Sequence, residues 1–300
     1  MRFFARGKFL LTAEYAVLGG AHALAVPTRL GQSLSVMPLD QEIIEWKSID
    51  EQGTVWYKNT FDKHTLSPIQ NDKISQRLQA LLNIISTKNP SLWNTSAGFS
   101  LETKLDFSRN WGLGSSSTLA SLLAQWANLS PYLLQQSVFG GSGYDIACAT
   151  ASGPIRYALS QGKPKVEDVS FAPAFLDQLY FVYLNQKQDS QREVAAFDQT
   201  KLTSKVIMEI NQLTDAFLHA TTMEEFQEVI KTHEHKIGSI IGRQPIGESL
   251  FADYTGAIKS LGAWGGDFIL ACGDNNSRAY FKLKGYATCL AYKDLIADAS

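Results

Sequence analysis

The stretch Asn110-Trp111-Gly112-Leu113-Gly114-Ser115-Ser116-Ser117-Thr118 joins a glycine-rich turn to a run of hydroxyls, and an apolar-rich run to Ala127 follows at once. The glycines permit a tight curl of the backbone, and the run after them reads as a helix whose positive end faces the turn. Backbone N–H groups gathered at such a helix start hold an anion without a basic side chain. Neither of the two commonest phosphate loops is present. Ser115 stands where a P-loop has Lys after its last Gly, and Ser117 stands where the dinucleotide fingerprint has its third Gly. Read alone, the stretch fits a phosphate cradle and a plain N-cap built from serines about equally well.

Outward from this stretch, residues 97–105 alternate Phe99, Leu101, Thr103 and Leu105, so a strand delivers the chain to the turn and a helix leaves it. Residues 72–88 carry Ile74, Leu78, Leu81, Leu82 and Ile85 at helical spacing. Towards the N-terminus, strands are expected at 3–11, 23–26, 30–36, 43–49 and 54–59, the last two joined by a turn at Asp50-Glu51-Gln52-Gly53. Beyond Gly140-Gly141-Ser142-Gly143 comes a strand at 154–159. Residues 160–173 are then rich in Gly, Pro and charge, which places a domain boundary there and gives domains 1–160 and 161–300. The second half reads as a strand at 179–184, helices at 205–219, 223–241 and 246–261, and strands at 268–272, 278–284 and 287–292. Thr222 and Glu225 stand at capping-box spacing. Strands outside with helices between make an α+β class.

At 300 residues the chain is long enough for a large core, and 45% apolar with 19% charged residues is the balance of a globular protein. A formal net charge of −2 argues against a nucleic-acid surface. No apolar run is long enough to span a bilayer, and Arg2, Arg6 and Lys8 interrupt any leader-like segment, so a cytoplasmic protein with no membrane partner is expected. Cys148, Cys272 and Cys289 are odd in number and widely spaced, which fits small core residues better than a disulfide framework. His233 and His235, two apart on one helix, point in different directions and are expected at the surface.

Three separated stretches, in the same order, resemble one family, the GHMP small-molecule kinases. Arg6-Gly7-Lys8 with Glu14-Tyr15-Ala16-Val17 through Gly20 is similar to its first motif, Gly112-Leu113-Gly114-Ser115-Ser116-Ser117-Thr118 to its ATP-binding motif, and Leu261-Gly262-Ala263-Trp264-Gly265-Gly266-Asp267 to its third. Gly141-Ser142-Gly143-Tyr144-Asp145 resembles the segment holding the catalytic Asp of mevalonate and phosphomevalonate kinases. Gly143-Tyr144-Asp145-Ile146-Ala147 also looks like the signature of a bacterial group, the GYDIA group of GHMP kinases.

The resemblance implies a two-domain fold, an N-terminal α/β sandwich domain followed by a C-terminal ferredoxin-like domain. It implies transfer of the γ-phosphoryl group of ATP to a small anionic hydroxylated acceptor, with phosphomevalonate or mevalonate, and so isoprenoid biosynthesis, foremost. By resemblance Asp145 is the base, Lys8 its cationic partner, Gly112 to Thr118 the ATP loop, and Ser116 the hydroxyl ligand of Mg²⁺. Glu14, Tyr15, Ser142, Gly143, Lys187, Ser190, Gly265 and Gly266 are then the candidate acceptor-binding residues. The chain departs from the pattern in three places. No Asp or Glu occurs between Thr118 and Tyr144, Ser108 replaces a Pro, and Trp264 replaces a small glycine. A nucleotide-binding protein without transfer, or a diphosphomevalonate decarboxylase-like enzyme, is the alternative.

Overall fold

A computed structural model describes residues 1–94, 97–188, 190–264, 266–274 and 276–297. The chain divides into two compact units, and each is assembled from separated stretches rather than from one consecutive half.

The first unit comprises Met1–Gly7, Leu30–Arg109 and Leu113–Thr150. It takes the start of β1 (Arg2–Leu10) and the later part of β2 (Ala23–Leu39), then β3 (Ile43–Ile49), β4 (Val55–Asp62) and β5 (Gly98–Leu105), hydrogen-bonded in the order β4-β3-β5-β2. All these pairings are antiparallel except β3 with β5, which the excursion through β4 and the helix α1 (Lys73–Lys88) allows to run parallel. Along β3, Ile44, Trp46 and Ser48 are buried while their neighbours are not, the period of a half-covered strand. Sheet residues Leu34, Val36, Ile44, Trp46 and Leu101 share one core with Leu78, Leu81, Leu82 and Ile85 of α1. After the short α2 (Pro90–Trp93) come α3 (Ser115–Ala127), α4 (Pro131–Val138) and α5 (Tyr144–Thr150), and α3 adds Ala120, Leu122, Leu123 and Ala124 to that core.

The second unit comprises Lys8–Arg29, Asn110–Gly112 and the chain from Ala151 onward. The early part of β2 pairs with β6 (Ile155–Ser160), which pairs with β7 (Lys163–Asp168). Residues 163–168, read from sequence as part of a link, are therefore the second arm of a hairpin. A four-stranded antiparallel sheet has the order β11-β8-β10-β9, from β8 (Leu179–Tyr183), β9 (Ile258–Ser260), β10 (Phe268–Cys272) and β11 (Cys289–Ala291). Its helices are α6 (Ser190–Ala196), α7 (Ser204–His219), α8 (Met223–Ile241), α9 (Ile246–Leu250), α10 (Ser277–Leu283) and α11 (Tyr292–Leu295). The rings of Phe217 in α7 and Phe226 in α8 lie 4.4 Å apart, joined by Phe171.

Two sequence expectations are corrected here. The helix expected over 246–261 stops at Leu250, and the chain beyond it runs so close to β10 that a Cβ at Gly256 would overlap the Cys272 carbonyl. That close approach lets 258–260 pair as a strand. Residues 278–284 are not a strand: all but Lys284, which caps the end, lie in α10, where Ser277 and Phe281, four apart, are the buried positions, while Leu283 is 89% exposed. Among the described residues no helix is long and apolar enough to cross a membrane.

Candidate functional site

In the first unit, α3 begins where the sequence places a helix, with Gly114 (φ 89°) as its N-cap residue and no side chain capping its first turn. A plain N-cap built from serines is therefore not what the turn forms, since that would have placed a hydroxyl on those N–H groups. Instead, Ser117 Oγ donates to the Gly114 carbonyl at 2.8 Å, and Thr118 Oγ1 donates to Gln32 Oε1 at 2.7 Å, and both residues are buried. Ser117 and Thr118 thus anchor the loop. Ser115 and Ser116 stay partly exposed beside uncapped backbone donors, the arrangement that favours an anion. Leu113 is buried beneath the turn.

Asp145 occupies the first turn of α5, which Gly143 starts by accepting from the N–H groups of Ile146 (3.1 Å) and Ala147 (3.2 Å). Its Oδ1 accepts from Ile146 N–H at 3.1 Å and its Oδ2 from Gln135 Nε2 at 3.2 Å. Asp145 and Ser142 are both half-buried.

In the second unit, Glu14 is fully buried between two residues with left-handed backbone, Ala13 (φ 62°) and Tyr15 (φ 60°). Lys259 donates to Glu14 Oε1 and, at 3.0 Å, to Glu234 Oε1. Ser260 Oγ donates to Glu234 Oε2 at 2.6 Å, and Ala13 N–H donates to His233 Nε2 at 3.0 Å. Burial pushes the Glu14 carboxyl up to about 7, with the Lys259 ammonium pulling back only part of that rise. Burial also holds His233 well below its ordinary value, reinforced by the nearby Lys259 charge. Burial works to lower Lys259, yet the charges of Glu14 and Glu234 outweigh it and hold the ammonium above its ordinary value. Glu14 is thus a core group joined to Lys259, not a carboxylate open to an acceptor. His233 is likewise buried, contrary to the sequence expectation, and only His235 on the same helix is exposed. Tyr15, expected at the acceptor, donates its hydroxyl to the Ala263 carbonyl at 2.9 Å, and burial pushes that hydroxyl up to about 12.

No family model and no curated protein sequence matches the chain. Solved structures do match over nearly the whole length. Streptococcus pneumoniae phosphomevalonate kinase in complex with phosphomevalonate and AMPPNP matches at TM-score 0.71 and 17% identity, covering 95% of each chain. Methanococcus jannaschii mevalonate kinase matches at 0.69 and 17%, covering 97% of this chain and 98% of its own. Lactococcus lactis galactokinase complexed with galactose matches at 0.68 and 14%, covering 100% and 93%. The fold is that of the GHMP kinases.

On this GHMP fold the second unit draws together residues far apart in the chain. The Asp267 carboxylate, which ends the third motif, packs against Gly112 of the glycine loop, where a Cβ would overlap it. Burial raises Asp267 above the usual carboxylate range, with Lys8 and then Lys187 opposing, and Gln188 N–H donates to its Oδ1 at 3.2 Å. Lys8, Gly112, Lys187 and Asp267 therefore share one neighbourhood, and Gly266 joins it, since a Cβ there would overlap Gln188. Sequence reasoning passed over Asp267 as a site residue, although it closes a motif already noted. Gly265 and the Ser190 side chain lie outside the described part of the chain. Trp264, in the place of a motif glycine, keeps a left-handed backbone (φ 55°), and its buried ring packs towards Gly238 of α8.

Gly112 has φ +64°, a region that disfavours a side chain. Gly112→Ala is expected to cost roughly 1–2 kcal/mol from the backbone alone, with a further loss from overlap with Asp267. Thermal melts of Gly112→Ala and of Gly112→Ala with Asp267→Ala check this. The second change should restore part of the lost stability.

Proposed function

We propose that this protein is an ATP-dependent small-molecule kinase that transfers the γ-phosphoryl group to a hydroxyl or phosphate of a small anionic acceptor, with phosphomevalonate and mevalonate first in order. The observation that carries this reading is the uncapped start of α3, with Ser115 and Ser116 partly exposed, on a GHMP fold. Asp145 accepts the proton of the acceptor hydroxyl, and Lys8 stabilises the charge that develops on it. Glycine-loop N–H groups hold the phosphates. Lys187 favours an acceptor that carries a carboxylate or phosphate.

Mg²⁺ is implied by the fold family, and the donor set suits it if ATP brings most of the oxygens. Ser116 offers a hydroxyl at the loop, and among the described residues no three His, Cys, Asp or Glu gather into a cage. Bound there, the ion would neutralise phosphate charge. The lack of any Asp or Glu between Thr118 and Tyr144 favours a second reading, a nucleotide-binding protein without transfer.

An ADP-release screen with ATP and Mg²⁺ against mevalonate, phosphomevalonate, homoserine and sugars separates the two. The kinase reading expects ADP release that depends on one of these acceptors. Nucleotide binding with no acceptor-dependent release throughout the panel would leave the second reading standing. Carbon dioxide among the products would instead mark a decarboxylase.

A further inference from the structure

Gln135 is a polar side chain in α4 whose exposure is only 4%. Its Nε2 donates to the Gly140 carbonyl at 3.1 Å and to Asp145 Oδ2 at 3.2 Å. Both partners are acceptors, which fixes the amide with its nitrogen towards them. Its Oε1 is then left buried without a hydrogen-bond partner among the described residues. An orphaned buried acceptor costs free energy, and Leu or Met would fill the same space without that cost. The donor side of the amide therefore performs a task that offsets the orphaned oxygen.

That task is legible from the surroundings. The backbone carbonyl of Gln135 also accepts from the N–H groups of Phe139 (2.8 Å) and Gly140 (2.9 Å), so one residue ends α4 and grips the glycine turn leading to Asp145. Tyr132, three residues earlier on the same face of α4, has its hydroxyl pushed up to about 12, first by burial and then by the charges of Asp145 and Cys148. Helix α3, which also packs on α5, carries no titratable side chain. Helices α3 and α4 thus bring no charged side chain to Asp145, and α4 aims an amide at one carboxylate oxygen.

We propose that Gln135 is a positioning residue for Asp145: its amide N–H ties Oδ2 to the turn at Gly140 and so fixes the direction in which the carboxylate meets an acceptor hydroxyl. This rests on reading Asp145 as the proton acceptor. A donor to the ionised carboxylate also favours that form, so its loss makes the carboxylate easier to protonate.

The test follows the Asp145 side-chain carboxyl by ¹³C NMR as pH is varied, with the signal assigned by Asp145→Asn, in the full chain and in Gln135→Met and Gln135→Glu. In Gln135→Met the Asp145 midpoint should move up. With an acceptor from the ADP-release screen, kcat should fall about tenfold while KM for ATP and acceptor changes little, the signature of a lost hydrogen bond to a charged group. In Gln135→Glu two carboxyl groups would share one proton, and the midpoint should move further. A folded Gln135→Met that loses only melting temperature, with midpoint and kcat unchanged, overturns the proposal. Should Gln135→Met not fold, an unmoved midpoint in Gln135→Glu overturns it. Failure of every acceptor counts against the kinase reading alone, because the NMR midpoint still reports the contact.

Discussion

Lys259→Met is expected to destabilise the protein by about 3–5 kcal/mol at pH 8, because it strips the cation from two buried carboxylates and leaves their charge uncompensated. For a chain of this size that corresponds to a fall in Tm on the order of 10 °C. Lys259, Glu14 and Glu234 are at most 2% exposed, so water cannot take over the role of the ammonium. The deficit should depend on pH, and its sign follows from Glu14. Burial already pushes that carboxyl from 4.5 up to about 7, and losing Lys259 pushes it higher still. A carboxyl raised on folding contributes its stability in full below the unfolded value and loses it as pH rises through the folded value. Lys259→Met should therefore recover part of its loss on moving from pH 8 to pH 5.5, as Glu14 takes up a proton. Denaturant unfolding at those two pH values measures it, and an equal deficit at both would refute the account.

The same cluster shows why some of this molecule was legible in the sequence and some was not. The turn from Gly112 to Thr118 and the helices at 73–88, 204–219 and 223–241 are local, and their signals lie within one window of residues. Thr222 and Glu225 form the capping box their spacing announces, with Glu225 N–H donating to Thr222 Oγ1 at 3.2 Å. Glu14 and Lys259, by contrast, stand 245 residues apart and carry charges that composition assigns to the surface. Only the fold reveals that each makes the other's burial tolerable. His233 and His235 do point apart, as residues two apart on one helix must. His233 nevertheless faces inward, because that face of α8 meets Ala13, whose N–H needs an acceptor. Short elements misled for a related reason. Over 277–283 a few apolar residues fit either period, and the burial of Phe281 beneath β8 and β10 decides for a helix.

Asp145→Asn is expected to lower kcat by about 10²–10⁴-fold, the range for loss of a positioned proton acceptor. Asparagine keeps the shape of the side chain and can still accept through its Oδ1, so Ile146 N–H at the start of α5 keeps its partner. It cannot take a proton from an acceptor hydroxyl. The nucleotide loop should be untouched, because Gly114, Ser117 and Thr118 are held by contacts of their own, among them Thr118 Oγ1 to Gln32. ATP affinity measured by calorimetry should therefore stay within a few-fold of the parent while acceptor-dependent ADP release collapses. The position of the second amide sharpens the expectation. In Asp145→Asn, with Oδ1 kept on Ile146 N–H, the Gln135 Nε2 donor faces a second amide NH2 in place of a carboxylate oxygen, which removes that charge-assisted bond and should cost about 1 kcal/mol of stability. Parallel losses of ATP affinity and turnover would instead assign Asp145 to holding the α4–α5 turn. Unchanged turnover would move the base to another carboxylate, for which Asp267, facing Lys8 and Gly112, is the group already in place.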